Sequence, residues 1–200
     1  MTNLYTTMIN TKEDLKKCLD ADLKRFADKP VSLKDFVLAN ERWFIYHYMK
    51  HLRKMEYCKN VSGGVIGKAR FLYHFLLFKR LGHVMRITVF PNTVGEGFTF
   101  YHFGDFTHVA KTCRIGKNCT IQPGVVFGKK TDEVNSSVVG DNCYIGLGVK
   151  ILGTVHIGNN VKIGANAVVT RDIPDDCIVA GIPAKIIKRY DHETKQWVRV

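Results

Sequence analysis

Histidine is the side chain whose ordinary pKa lies nearest neutrality, so a neutral imidazole can take a proton from a reacting hydroxyl. The rear half of the chain holds His102 and His108, six residues apart, with His156 further on. The six cysteines show neither a CxxC nor a Cys/His metal spacing, so no metal is expected and free thiols are the default reading. Proton transfer by an imidazole is therefore the chemistry to weigh first. Six residues is not a helical period, which is near 3.6, nor the strand period of 2. The same unusual interval governs the elements around the histidines.

The stretch "HIGNNVKIGANAVV" at 156–169 places an Ile-Gly pair at 157 and again at 163. Counting in sixes gives Val109, Ile115, Ile121, Phe127, Val139, Ile145, Ile151, Ile157, Ile163 and Val169, with one step of twelve between Phe127 and Val139. Two residues before each of these, a small or β-branched residue recurs, among them Cys113, Cys119, Val125, Ser137, Cys143 and Ala167. Glycines follow the aliphatics at 116, 128, 140, 146, 158 and 164, and are read as permitting corner conformations that a Cβ would oppose. A fixed short repeat is the signature of a solenoid, and hexads build a β-helix of about four coils. Three of the cysteines fall in the small-residue slot and are read as packing groups. Where the aliphatic slot is missed, Glu133 would point inward, so "KKTDEVNSSV" at 129–138 is expected to loop out and to help bind an acceptor.

Ahead of Pro91 the texture is helical. Ser32 with Asp35 reads as a capping box for a helix running to about Lys59, Thr11 with Asp14 starts a shorter one, and a third follows "SGG" at 62–64, making three. The formal charge of +12 is concentrated here: residues 1–90 hold 17 Lys/Arg against 8 Asp/Glu. Aromatic and basic residues interleaved in this way suit nucleic acid or an anionic membrane surface, but packed helices with snorkelling cations read the same, and no nucleic-acid motif is present. No export signal or membrane span is read, so the chain is expected to be cytoplasmic, without an integral membrane segment and with peripheral membrane contact left open. The division expected is 1–90 α-helical, 91–189 β-helix and 190–200 a C-terminal tail.

The segments "VGEGFTFYH" at 94–102, "IGKNCTI" at 115–121, "VVGDNCYIGLGVKILG" at 138–153 and "VAGIPAKII" at 179–187 resemble the hexapeptide-repeat acyltransferases, in the serine acetyltransferase-like branch. That branch includes O-acetyltransferases of capsule and other surface polysaccharides. The resemblance covers residues 91 to about 189 and implies a mainly β fold, a left-handed parallel β-helix after a small α-helical domain. It also implies a homotrimer with interfacial active sites and acetyl-CoA as acyl donor. His102 matches the family's catalytic histidine and is the implied general base, its ring turned away from the coil interior. His108, one hexad on, ranks second. By the same resemblance Gly128 and Lys129 would lie near the thioester, Leu147 and Ala165 along the pantetheine arm, and Lys185 and Lys188, with Arg189, at the nucleotide phosphates.

Two departures bear on the acceptor. The family aspartate that orients the base falls here at Ile87, so a backbone carbonyl or Asp105 is expected to fix the imidazole instead. A second family histidine is replaced by the 129–138 stretch. Both favour a sugar or glycan hydroxyl as acceptor, with L-serine O-acetylation as the alternative. Rival classes are a non-catalytic scaffold and a zinc enzyme of the carbonic anhydrase type using His102, His108 and His156, whose spacing does not match that family.

Overall fold

The computed structural model describes residues 8–26, 31–61, 63–130 and 135–200. Among these described residues four helices come first: α1 (Lys12–Phe26), α2 (Leu33–Val37), α3 (Glu41–Val61) and α4 (Gly64–Met85). At the head of α1, Thr11 Oγ1 accepts from the Asp14 N–H at 3.0 Å while the Asp14 carboxylate accepts from the Thr11 N–H at 2.9 Å, a reciprocal cap. The long helix expected from Ser32 to Lys59 is instead two. Ala39 adopts a left-handed φ of 51°, which a continuous helix cannot contain, and Asn40 then restarts the turn by accepting from the Trp43 N–H at 3.0 Å. That break makes Glu41 the first residue of α3, where a carboxylate is favoured by the helix dipole.

Fifteen short strands follow among the described residues: β1 (Ile87–Thr88), β2 (Thr99–Phe100), β3 (Thr107–His108), β4 (Arg114–Ile115), β5 (Thr120–Ile121), β6 (Val126–Gly128), β7 (Val138–Val139), β8 (Tyr144–Ile145), β9 (Lys150–Leu152), β10 (His156–Ile157), β11 (Lys162–Ile163), β12 (Val168–Val169), β13 (Cys177–Ala180), β14 (Lys185–Asp191) and β15 (Gln196–Arg199). They form three sheets in the orders β1-β3-β6-β9-β12, β10-β7-β4 and β15-β14-β13-β11-β8-β5-β2. From β2 to β12 successive strands visit the three sheets in turn, isolated bridges at Val94 and Ile173 supply the missing side in the first and last turns, and every pairing up to β13 is parallel, so the chain winds as a three-sided β-helix of about four turns. The spiral begins at β1, before Pro91, and residues 190–200 lie in an antiparallel hairpin of β14 and β15 against β13.

Each aliphatic of the hexad count is buried, and so is each small residue two before it, which places both registers inside the prism. The repeated glycines have a different role from the one read off the sequence. None of the six has a positive φ; among the corner residues that do are Asn118, Asn142, Asn160 and Asn166. Gly116 is required by stacking, since a Cβ there would come within 2.7 Å of the Gly140 carbonyl in the next coil. Asparagine takes the left-handed corner because its short polar side chain tolerates that region, and Asn118 Nδ2 donates to Asn142 Oδ1 at 3.3 Å.

Three coils depart from eighteen residues, the last of them being shorter, with Ile163 paired to Val179 at a step of 16. Phe100 pairs with Ile121 and Ile121 with Ile145, steps of 21 and 24, whereas Ile145 to Ile163 is 18. The additions lie in the corner at 101–106 and in the stretch between β6 and β7. Glu133 falls outside the described residues. Its neighbour Asn135 is buried and seals the point of re-entry, donating from Nδ2 to the carbonyls of Gly128 at 2.7 Å and Ile151 at 3.1 Å.

The helices are bolted to the spiral through Arg53. Its guanidinium, 2% exposed, donates to Asp22 Oδ2 of α1 at 2.8 Å, to Glu56 Oε2 at 3.1 Å, to the Val94 carbonyl at 2.8 Å and to the Gly95 carbonyl. Asp22 also accepts from the Gly97 N–H at 2.8 Å, and Glu56 from the Asn92 N–H at 2.7 Å. One buried cation thus ties α1, α3 and the entry to β2 into a single packed unit.

Candidate active site

His102 sits in the enlarged corner between β2 and β3. Phe100 is the inward residue of β2 and Val109 the next inward position, so the hexad count does not extend back through 103. The extra residues let "YHFGDF" bulge outward with Tyr101, Asp105 and Phe106 exposed and Phe103 half-buried against Phe44 at 5.8 Å between ring centroids. The His102 side chain is 67% exposed, its ring turned away from the interior.

Glu41 is what orients the ring. Its Oε2 lies 2.7 Å from His102 Nδ1, across 61 residues of sequence. A carboxylate only accepts, so the shared proton resides on Nδ1 and the Nε2 lone pair is left free to receive another. Glu41 fills the place expected of a backbone carbonyl or Asp105. Asp105 instead offers its own carbonyl to Thr107 Oγ1 at 3.2 Å. Sequence spacing could not find Glu41, because it is delivered by the helix break at Ala39 and by the Arg53 clamp on α3, both distant in sequence from 102. Its one local signal is an acid in the first turn of a helix.

His108 does not join this pair. It lies on β3 in a different sheet, with Phe106 stacked on its ring at 5.9 Å and Phe90 edge-on at 6.3 Å, and burial lowers its pKa. His156 is on β10, with its Nδ1 3.8 Å from Asp172 Oδ2. Among the described residues no group of three His, Cys, Asp or Glu could hold a metal ion.

The residues assigned to the acyl donor divide between two edges of the prism. The corner of His102 stacks on 122–125, then on Leu147, then on Ala165: the Gly148 N–H donates to the Pro123 carbonyl at 2.9 Å and the Asn166 N–H to the Leu147 carbonyl at 2.7 Å. Leu147 and Ala165 are both exposed there. At strand spacing of about 4.8 Å per coil, three coils carry this edge roughly 14 Å from the imidazole. Lys185 continues it, paired with Ala180 beside Gly164. Lys188 pairs with Ile178, and the bulge between the two pairings returns Lys185 and Lys188 to one face, which simple alternation would have separated. Gly128 and Lys129 lie on the next edge, where the Gly153 N–H donates to the Gly128 carbonyl at 3.0 Å. One linear arm along a single edge of one protomer meets His102, Leu147, Ala165 and Lys185 and misses the other two. The long second coil explains the discrepancy, since the residue beside Gly128 one coil on is Leu152.

Comparison with known proteins bears on this geometry. The family model "Bacterial transferase hexapeptide (six repeats)" matches residues 136–171. The spiral is a hexapeptide-repeat solenoid. A serine acetyltransferase of Synechococcus elongatus is 36% identical over 116 residues, which is 54% of this chain and 47% of that protein. An Escherichia coli K12 protein named for lipopolysaccharide biosynthesis O-acetyl transfer, WbbJ, is 44% identical over 75 residues, 38% of each chain. The chain thus spans less than half the length of these curated relatives. Among solved structures, Neisseria gonorrhoeae serine acetyltransferase superposes with a TM-score of 0.65 at 26% identity, covering 89% of this chain and 66% of that one. A Brucella abortus serine acetyltransferase solved with coenzyme A shares the fold, with a TM-score of 0.68 at 23% identity, over 89% of this chain and 69% of that one. The hexapeptide solenoid and its helical front therefore resemble the serine acetyltransferase-like branch along most of this chain.

Proposed function

We propose that the protein transfers an acetyl group from acetyl-CoA to a hydroxyl of a sugar or surface-polysaccharide precursor, with His102 as general base. The observation that carries this reading is the 2.7 Å bond between Glu41 and His102 Nδ1. It fixes the tautomer that a base needs and offers negative charge to the imidazolium formed when Nε2 takes the acceptor's proton. The acceptor oxygen then attacks the thioester carbonyl, the carbon–sulfur bond breaks, and the imidazolium returns the proton to the departing thiolate. Leu147 and Ala165 would support the pantetheine arm along the edge below His102, and Lys185 and Lys188 the nucleotide phosphates. Gly128 and Lys129 would contribute from a neighbouring copy in a homotrimer, whose grooves enclose the reacting groups.

The surroundings of the base favour a sugar. Tyr101 and Phe106 present exposed rings within four residues of His102, and the Phe103–Phe44 pair lies between them. Flat apolar rings suit the C–H faces of a pyranose, with polar groups at the rim fixing its orientation. L-serine as acceptor is the second reading, favoured by the serine acetyltransferases among the relatives.

Release of CoA from acetyl-CoA, followed with a thiol reagent in the presence of a glycan panel or of L-serine, tests both readings. Acetylated sugar, lost in His102→Ala, is the expected result. Acetylated serine alone would select the second reading. Turnover undiminished in His102→Ala would remove the base from the mechanism, and a protein that neither binds nor turns over acetyl-CoA would be a scaffold.

A further inference from the structure

Between α4 and the first turn of the solenoid lies a cavity of about 720 Å³ that the acetyl-transfer reading does not use. Its floor is apolar, formed by Phe71, Phe75 and Phe78 of α4 with Phe90 and Pro91 from the chain entering the spiral. Its rim is cationic: Lys59, Lys79 and Arg86 line it and are all exposed. No Asp or Glu occurs between Glu56 and Glu96, and among the described residues none of these three cations has an ion-pair partner. Phe106 closes one side of the cavity, and it belongs to the same corner as His102.

We propose that this cavity seats a phosphate-bearing lipid, its hydrocarbon chain against the phenylalanines and its phosphate at Lys59, Lys79 and Arg86. A purely apolar ligand would leave the cations unused, and a free anion would leave the aromatic floor exposed to water. A second copy docked by this same face would stack cation on cation. An amphipathic anion satisfies both parts at once. The ligand could come from a bilayer phospholipid or from a lipid-linked sugar diphosphate, which share this chemistry. The second source rests on the acetyl-transfer reading, because its sugar would extend past Phe106 toward His102.

Binding is read without acetyl-CoA, so its outcome does not depend on whether transfer occurs. Farnesyl diphosphate, farnesol and inorganic diphosphate are titrated separately by calorimetry into the full chain. The expected order has farnesyl diphosphate at least tenfold tighter than either fragment, with Lys79→Gln and Arg86→Gln each weakening it about tenfold, as the loss of one charge-assisted contact does. Phe75→Ser, at a partly exposed position that should tolerate the change, weakens the lipid but not the bare diphosphate. Sedimentation with phosphatidylglycerol vesicles separates the sources. Vesicles that bind the protein and compete with farnesyl diphosphate point to a bilayer headgroup, and vesicles that do neither point to a lipid-linked diphosphate. Equal affinity for inorganic and farnesyl diphosphate, or no change in the two charge variants, would overturn the proposal. So would a fall in assembly mass in those variants, which would make the face a contact between copies.

Discussion

Replacing Arg53 by methionine keeps an unbranched apolar stem and removes the guanidinium with its charge. The change strands two buried carboxylates, Asp22 and Glu56, and leaves the carbonyls of Val94 and Gly95 without their donor. Breaking a buried pair from one side costs about 3–5 kcal/mol, a large part of the 5–15 kcal/mol that holds a typical domain folded. The cost must depend on pH. Burial already pushes the Asp22 and Glu56 carboxyls up against the pull of Arg53, and without the cation they rise further. An acid whose folded pKa exceeds its unfolded value binds more protons when folded, so between those two values stability increases as pH falls. Arg53→Met should therefore unfold at lower urea than the parent at pH 8, by a free-energy deficit of about 3–5 kcal/mol, and the deficit should narrow toward pH 5. The far-UV helical signal reports it. Activity should fall as well, because α3 carries Glu41 twelve residues, or about 18 Å, up the same helix. A deficit under about 1 kcal/mol, or one unchanged between pH 8 and pH 5, would refute the view that Arg53 is the clamp.

Glu41→Gln should lower kcat by about 10–100-fold with a smaller change in KM for acetyl-CoA, as loss of a partner that orients an imidazole does, with Glu41→Asp partly restoring it; equal rates in Gln and parent would discard Glu41 as a positioning residue. Between α3 and α4, His51 Nδ1 lies 2.9 Å from His74 Nδ1, and burial first, then His74, pushes His51 down to about 4. A depressed histidine contributes stability that is present above its unfolded pKa of about 6.5 and lost as pH falls toward 4, so the melting temperature should drop between pH 7.5 and pH 5, and less in His51→Gln. Gly116→Ala should destabilise by about 1–3 kcal/mol through its clash with the Gly140 carbonyl, measured by thermal unfolding, with Gly104→Ala showing no clash of that kind. Cys18 and Cys113, both buried and pushed up to about 11, should resist alkylation at pH 8 until the chain is unfolded.

The spiral could be read from the chain because its code is local: one inward aliphatic every sixth residue and a small residue two before it. The same local count marks the lengthening of the second coil as the step of twelve between Phe127 and Val139, but it gives no sign of the three-residue addition ahead of Val109, where the run of sixes begins. Glycine was assigned to torsional freedom when its reason at 116 is the closeness of the next coil, a contact between residues 24 apart. Glu41 lay beyond reach for a related cause. Its position follows from a left-handed residue at 39 and from a buried ion cluster linking three distant segments, and neither has a period.

A wall of parallel strands has two raw rims, each a row of amide and carbonyl groups able to recruit another such wall. Here Arg53 takes the Val94 and Gly95 oxygens at the start of one wall, and another wall ends in β14, which runs antiparallel to β13 and is followed by β15. In those two walls the parallel stacking is interrupted, in one by a side chain and in the other by a strand of opposite direction. Reversing β14 and β15, or stripping them away, would expose a template matched to the first turn of the next molecule and invite head-to-tail threads.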